Sequence, residues 1–342
     1  MTYDKDTIRQ IADRQRTFFR TGVTLDVKWR KSRLREMRDA VRAYEEEFER
    51  ALAEDLGRSR TEAYLCDIGP VVLEINEIIR GLRRWARPET HFSGLLCFPS
   101  LITKVYKMPY GVTLIISPFN FPILLTLGVV AASIAGGNTV VIKASSKSAS
   151  STAVLKKFIG EVFSPEHVTL VDGGHDVADF YLEQRWDKIF YTGSPKVGRH
   201  VLSAAAGNLT PVALELGGET GNWCVVRKDA DIDSVMDMIE GREHPLALYL
   251  FTKNIRWADR VMRSHQYGGG CINEVCIHLM VRGVPFGGTG HSGMGAYHGV
   301  GGFREFTHPS TVLKGCTRFN LPLREHPYGK EWKLRLLRLF EK

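Results

Sequence analysis

The segment Asp187–Gly218, DKIFYTGSPKVGRHVLSAAAGNLTPVALELGG, decides the fold. Lys188–Tyr191 is a short β-branched and aromatic run that predicts a strand. Thr192-Gly193-Ser194 breaks it, and Pro195 then stands where a helix accepts its first residue, with Ser194 as the N-cap. The helix runs through Val201-Leu202 and Ala204–Ala206 and ends at Gly207-Asn208. Pro211–Leu216 makes a second strand that carries one acid, Glu215, just before Gly217-Gly218. A helix N-terminus behind a glycine turn is a ready phosphate site, and an acid at a strand end beside two glycines can be approached by a ligand. A plain βαβ unit, with Gly and Ser serving only the turn, fits these residues equally well.

Working outward, the same phrasing repeats upstream. Strands at GVTLIIS (111–117), TVVIK (139–143) and HVTLVDG (167–173) alternate with helices at 121–135, 148–162 and 175–184. Apolar strands joined by helices through short loops predict an α/β fold with a Rossmann-like parallel sheet covered on both faces. Ligands then sit beyond the carboxyl ends of the strands. Asn120, Lys143 and Gly193-Ser194 all fall there.

Before this run, the pattern predicts helices over 5–20, 27–56 (stopped by Gly57) and 61–85 (stopped by Pro88), then an edge strand or arm over 92–109. After it come a strand at 222–226, an acidic turn leading into a short helix over 229–240, and a buried strand at LALYLF (246–251). A helix to about 266, a glycine-rich then strand-like piece at 268–278 and a glycine-dense loop at 284–299 follow. The tail, 330–342, reads as a basic amphipathic helix that docks on the body or on a partner subunit. The corresponding domain division is helices 1–90, arm 91–110, dinucleotide-binding part 111–218, a shortened second α/β part 219–300, and an arm with tail helix 301–342.

The chain has 342 residues, 44% of them hydrophobic and 25% charged, as in ordinary soluble proteins. Its net charge of +8 is spread rather than blocked and comes with no nucleic-acid motif, so no nucleic-acid partner is expected. Six cysteines without a C-x-x-C pair read as reduced thiols of a cytoplasmic protein. The polar N-terminus is no signal peptide, and the apolar run 121–135 is too short to span a bilayer. His291, His298 and His308 lack ligand spacing, so no metal is expected.

SPFNFP (117–122), VVIKAS (140–145), YTGSPKVG (191–198), LELGG (214–218), PLALYLF (245–251) and PFGGTGHSGMG (285–295) together resemble the aldehyde dehydrogenases, nearly end to end and in family order. The long N-terminal helices and the tail after FREFTH (303–308) look most like the class 3 or fatty aldehyde dehydrogenase branch. The resemblance implies NAD(P)-dependent oxidation of an aldehyde to a carboxylic acid; either a homodimer or an unstable chain is expected because a block of the family pattern is missing. It implies that Asn120 stabilises the oxyanion formed when a thiolate attacks the aldehyde, and that Glu215 is the base that activates water. It also implies cofactor contacts for Ser117, Phe119, Lys143, Ser146, Gly193, Ser194, Gly198 and Leu216, with NAD or NADP left open.

One block of the family pattern is missing. The nucleophilic cysteine in its G-Q-x-C setting and the later E-x-F-G-P motif should follow Glu215. Only 30 residues separate Glu215 from Leu246 (246 − 215 − 1 = 30), and they contain neither. Cys224 reads as a small strand hydrophobe, while Cys271 and Cys276 fall near the family's substrate-side wall. Ala144 and Ser146 replace the family's proline and ribose-binding glutamate, Pro195 its threonine and Glu219 its lysine. The alternative reading is therefore a degenerate, inactive member that binds a dinucleotide or pairs as a dimer partner. A binding module driven by basic charge alone ranks last. Loss of the middle block should also leave apolar surface for a partner to cover.

Overall fold

The computed structural model describes residues 4–173, 175–217, 237, 239, 241–281, 283–316, 318 and 321–339. The predicted strand at 222–226, most of the helix at 229–240 and Cys224 lie outside the described residues. The chain forms two compact units, Met1–Trp85 with Pro109–Thr307, and Ala86–Met108 with His308–Lys342.

In the larger unit, α1 (Lys5–Arg20) starts where the Asp4 side chain accepts from Thr7 N–H. Two helices, α2 (Val27–Ala43) and α3 (Glu45–Leu56), replace the single helix expected over 27–56. The chain turns at Tyr44, whose ring packs edge-on to Phe158 at 5.4 Å and whose hydroxyl bonds Glu161. That turn lets α2 pack on α5 (Gly69–Trp85) while α3 packs on the helix Ala149–Val162.

The expected helix 61–85 is also interrupted. A short α4 (Arg60–Ala63), closed at its start by a Ser59–Glu62 capping box, leads into a π-helical turn, Tyr64–Ile68, before α5. Pro70 explains the turn: it has no N–H, and in a regular helix its ring would strike the Cys66 carbonyl. The Gly69 N–H instead reaches back five residues to the Tyr64 carbonyl.

The sheet of this unit contains β3 (Val112–Ile116), β4 (Thr139–Lys143), β5 (Val168–Val171), β6 (Lys188–Gly193) and β7 (Val212–Leu216), all parallel in the order β7-β6-β3-β4-β5. The crossovers are α6 (Leu124–Gly136), α7 (Ala149–Val162), α8 (His175–Glu183) and α9 (Pro195–Ala206). The continuous apolar runs are buried on both faces, as a parallel sheet requires. One core gathers Val112, Leu114, Val141, Leu214 and Leu216 under α1, α8 and α9.

Further along lie β8 (Ala247–Leu250), α10 (Ile255–Ser264) and β9 (Gly269–Ile272), the two strands pairing in parallel. The LALYLF run is half-buried rather than buried, and Phe251 is 63% exposed. A sheet of two strands offers little cover, so an apolar run alone overstates burial here. The loop expected over 284–299 contributes a strand, β10 (Gly293–Met294), antiparallel to β7 at the sheet edge. Gly293 is required there: its φ is +142° and a Cβ would lie 2.1 Å from the Leu214 carbonyl oxygen. The helix α11 (Gly299–Glu305) follows.

In the smaller unit, β1 (Glu89–Phe92), β2 (Ile102–Pro109) and β11 (Thr307–Leu313) form a three-stranded sheet, with β1 and β2 antiparallel. The tail helix α12 (Glu331–Arg338) is exposed along Trp332, Leu334 and Leu336, while Lys333 is buried. Among the described residues no helix is long and apolar enough to cross a membrane.

A buried titratable group marks the larger unit. His167 is 2% exposed, packed by Trp29 at 4.8 Å and Phe163 at 5.6 Å, and burial pushes its pKa down to about 3. Above pH ~6.5 both folded and unfolded chains carry it neutral. Between 6.5 and 3 only the unfolded chain takes up the proton, so its contribution falls as the pH falls. His167→Phe should therefore shrink the stability difference between pH 7.5 and pH 5, measured by urea unfolding, by about 2 kcal/mol.

Candidate functional site

The strand register brings the sequence candidates to one edge. Ile116 lies opposite Lys143 on one side and Tyr191 on the other, and Gly193 lies opposite Leu216. The Ser117 N–H extends the ladder by donating to the Lys143 carbonyl at 3.0 Å. Ser117, Lys143, Gly193-Ser194 and Glu215-Leu216 thus share the carboxyl end of the sheet.

Two polar groups there are buried and poorly served. Lys143 is 7% exposed; its ammonium donates to the Ala144 carbonyl at 3.0 Å, and burial lowers its pKa. The Ser117 hydroxyl is buried without a hydrogen-bond partner among the described residues. Such a pair suits the hydroxyls of a ribose. Ser194 caps α9, its hydroxyl accepting from Val197 N–H at 3.4 Å. A Cβ at Gly193 would sit 2.2 Å from the Tyr191 hydroxyl, and one at Gly198 would sit 2.6 Å from Leu216, so glycine keeps this turn and helix close to the strands. The residues present therefore fit a dinucleotide phosphate and ribose. Ser146 is exposed, as is Phe119, whose ring lies 5.1 Å from the Lys147 ammonium.

Asn120 lies exposed in the loop between β3 and α6. Sequence reading did not find what holds that loop. The Arg58 guanidinium pairs with fully buried Asp67, donates to the Asn120 carbonyl at 2.7 Å and lies 4.6 Å over the Phe121 ring. Asp67 accepts from the N–H groups of Ile123 and Leu124 at 3.0 and 2.8 Å, capping α6, which begins three residues later than expected. The π turn before Pro70 carries Asp67. The signal available in sequence was the Pro inside a helical pattern.

Glu215 is 3% exposed. Leu214 and Leu216 flank it and join the core under α1, α8 and α9. Strand alternation therefore sends the carboxyl to the opposite face. Neither of its oxygens has a hydrogen-bond partner among the described residues. Burial first, and then the charge of Glu305, raise its pKa to about 9, against a smaller downward pull from the Gly288 N–H. Glu305 itself is held by Lys188 and accepts from Ala296 N–H at 3.2 Å. Tyr297, on the same face, is pushed well above its ordinary range by burial first and then by Glu215 and Glu74. A pKa raised this way favours the neutral acid over the carboxylate at neutral pH.

Of the cysteines, Cys271 is buried and Cys276 exposed, and both carry free thiols. Among the described residues no group of three or more His, Cys, Asp or Glu side chains could hold a metal.

The family model described as "Aldehyde dehydrogenase family" matches residues 2–242 and 241–312. Aldehyde dehydrogenase family 3 member F1 of Arabidopsis thaliana is 28% identical over 464 residues, covering 98% of this chain and 96% of that protein. At least 122 of those positions face no residue here (464 − 342 = 122). The 4,4'-diaponeurosporen-aldehyde dehydrogenase of Staphylococcus aureus is 27% identical over 443 residues, covering 93% of this chain and 96% of that one. A solved structure, the substrate-bound state of Staphylococcus aureus AldH, superposes with a TM-score of 0.90 at 26% identity, covering all of both chains.

Two expectations follow. Glu215→Gln removes a group that resists ionisation. Unfolded Glu215 loses its proton near pH 4.5 and the folded one near 9, so its contribution to stability declines as pH rises between them. The variant should gain at least about 1 kcal/mol over the parent chain at pH 8 and nothing at pH 4, read by urea unfolding. Asp67→Asn leaves Arg58 without its counter-charge and should cost about 3 kcal/mol; a loss below about 0.5 kcal/mol would remove the pair from the account of this loop.

Proposed function

The chain belongs to the aldehyde dehydrogenase family, and from that premise we propose that it binds NAD or NADP at the carboxyl edge of its parallel sheet but does not oxidise aldehydes by thioester chemistry. The observation that carries this reading is the break in the family match at 241–242, between Glu215 and β8. The nucleophilic cysteine of the family pattern belongs in that interval. The protonated state of Glu215 supports the same reading, since activating water needs a carboxylate.

Lys143 and Ser117 are the groups we assign to the ribose, and the turn Gly193-Ser194 with the start of α9 to the phosphates, packed closely through Gly198 and Leu216. Phe119 would lie against the cofactor and Ser146 near a ribose hydroxyl. When bound, NAD(P) supplies a hydride acceptor. In a working member Asn120 would donate to the oxyanion and Glu215 would take a proton from water. Here Asn120 is positioned through the Arg58–Asp67 pair, whereas burial and the charge of Glu305 disfavour ionisation of Glu215.

A second reading is retained aldehyde oxidation through another thiol, favoured by the survival of Asn120, Glu215 and the cofactor edge. Exposed Phe251 and Ile255 are apolar surface that we assign to a second copy of the chain. Thiols at Cys66, Cys97, Cys271 and Cys276 that form no disulfide fit a reducing, cytoplasmic setting. As part of the same proposal we divide the chain into helices 1–90, an arm 91–110, a dinucleotide-binding part 111–218, a shortened second α/β part 219–300 and an arm with tail helix 301–342.

The purified chain incubated with NAD or NADP and a medium-chain aldehyde separates the readings. Calorimetry should show cofactor binding, weakened about tenfold by Lys143→Met, roughly the worth of one charged hydrogen bond, with no build-up of reduced cofactor. Steady turnover abolished by Glu215→Gln would establish the second reading. Failure to bind either cofactor would overturn the first. Light scattering should give a dimer mass at micromolar concentration, and a heat-stable monomer would reject the dimer.

A further inference from the structure

The parallel pair β8-β9 ends in a cluster that neither the cofactor edge nor Glu215 uses. Cys271, on β9, is 9% exposed, and its Sγ lies 3.4 Å from Nδ1 of His278. The other ring nitrogen of His278, Nε2, is buried with no hydrogen-bond partner among the described residues. A Cβ at residue 269 would sit 2.8 Å from Cδ2 and 3.0 Å from Nε2 of that ring, so glycine there lets the imidazole pack directly against the backbone of β9. Burial lowers the His278 pKa.

The surroundings define the chemistry. The Tyr249 and Phe286 rings each lie 5.9 Å from the His278 ring. The Tyr249 hydroxyl donates to Cys276 Sγ at 3.5 Å. Among the described residues no acidic or basic side chain hydrogen-bonds or ion-pairs with either member of this pair. Such a setting suits a neutral, soft, partly apolar molecule rather than an anion. The cover is thin: Ile277, Leu279 and Met280 belong to a short exposed turn, Ile277–Met280, that also carries His278.

We propose that Cys271 and His278 form a thiol–imidazole pair that adds to neutral α,β-unsaturated carbonyl compounds. The Cys271 S–H proton passes to His278 Nδ1 while sulfur bonds to the β-carbon. The double-bond electrons move onto the carbonyl as an enolate, and the imidazolium returns the proton to the α-carbon. One S–H bond and one C=C π bond are replaced by one C–S and one C–H bond, and nothing is oxidised or reduced. The proposal does not depend on cofactor binding or on the fate of aldehyde oxidation.

The test treats the intact chain with trans-2-hexenal, follows adduct formation by peptide mass mapping, and repeats it on the chain unfolded in urea at the same pH. The pair predicts that Cys271 reacts in the native chain on the order of a hundredfold faster than in urea, the low end of what a positioned base contributes. His278→Asn should remove most of that advantage, and Cys276→Ser should leave it in place. Protection of Cys271 in the native chain, labelling of Cys276 instead, or an unchanged rate in His278→Asn would each overturn the proposal. The comparison of native with unfolded chain needs no variant, so it stands even if His278→Asn fails to fold.

Discussion

Strand alternation in β7 is the constraint on which the site depends. Side chains along a strand point to opposite faces in turn, and a shift of one residue exchanges the faces. Leu214 and Leu216 complete the core beneath α1, α8 and α9, so Glu215 has to face the other way. There it meets Tyr297 and Glu305, and the one influence favouring its charge is a small pull from the Gly288 N–H. An apolar register thus imposes a buried, unpaired acid. Leaving such a group ionised costs far more than leaving it protonated, and its pKa rises accordingly.

The carboxyl end of the sheet around Lys143 has the opposite character. Lys143 and the Ser117 hydroxyl are buried polar groups with spare donor capacity, and a helix N-terminus lies beside them at Ser194. Structures seldom leave such groups without a use. One end of the sheet is therefore prepared for a polar ligand while the acid beside it is held out of its ionised state. These two halves of the site are held by different forces, ladder hydrogen bonds in the first and core packing in the second. Loss of sequence after Glu215 can disable one without unfolding the other.

The parallel sheet was legible because its strands are continuous apolar runs closed by glycine turns, and β3 to β7 fall within two residues of their expected places. The expected site residues at strand ends could be located for the same reason. What escaped was set by contacts distant in sequence. The turn at Tyr44 answers to Glu161 and Phe158, and β10 exists because β7 offers it an edge. Arg58 follows the helix stop at Gly57 with no local pattern to mark it, and it braces the Asn120 loop through Asp67. The burial of LALYLF was overstated because periodicity reports what a strand needs, not what covers it. The environment of Glu215 depends on Glu305 and Tyr297, which no local pattern links to it.

The most direct measurement is the ionisation of Glu215 itself. Infrared difference spectra between the parent chain and Glu215→Gln, taken across pH, isolate its protonated carbonyl stretch. The account predicts that this band is present at pH 7 and disappears only near pH 9. A carboxylate already ionised at pH 6 would contradict it, and would restore Glu215 as a base ready to activate water.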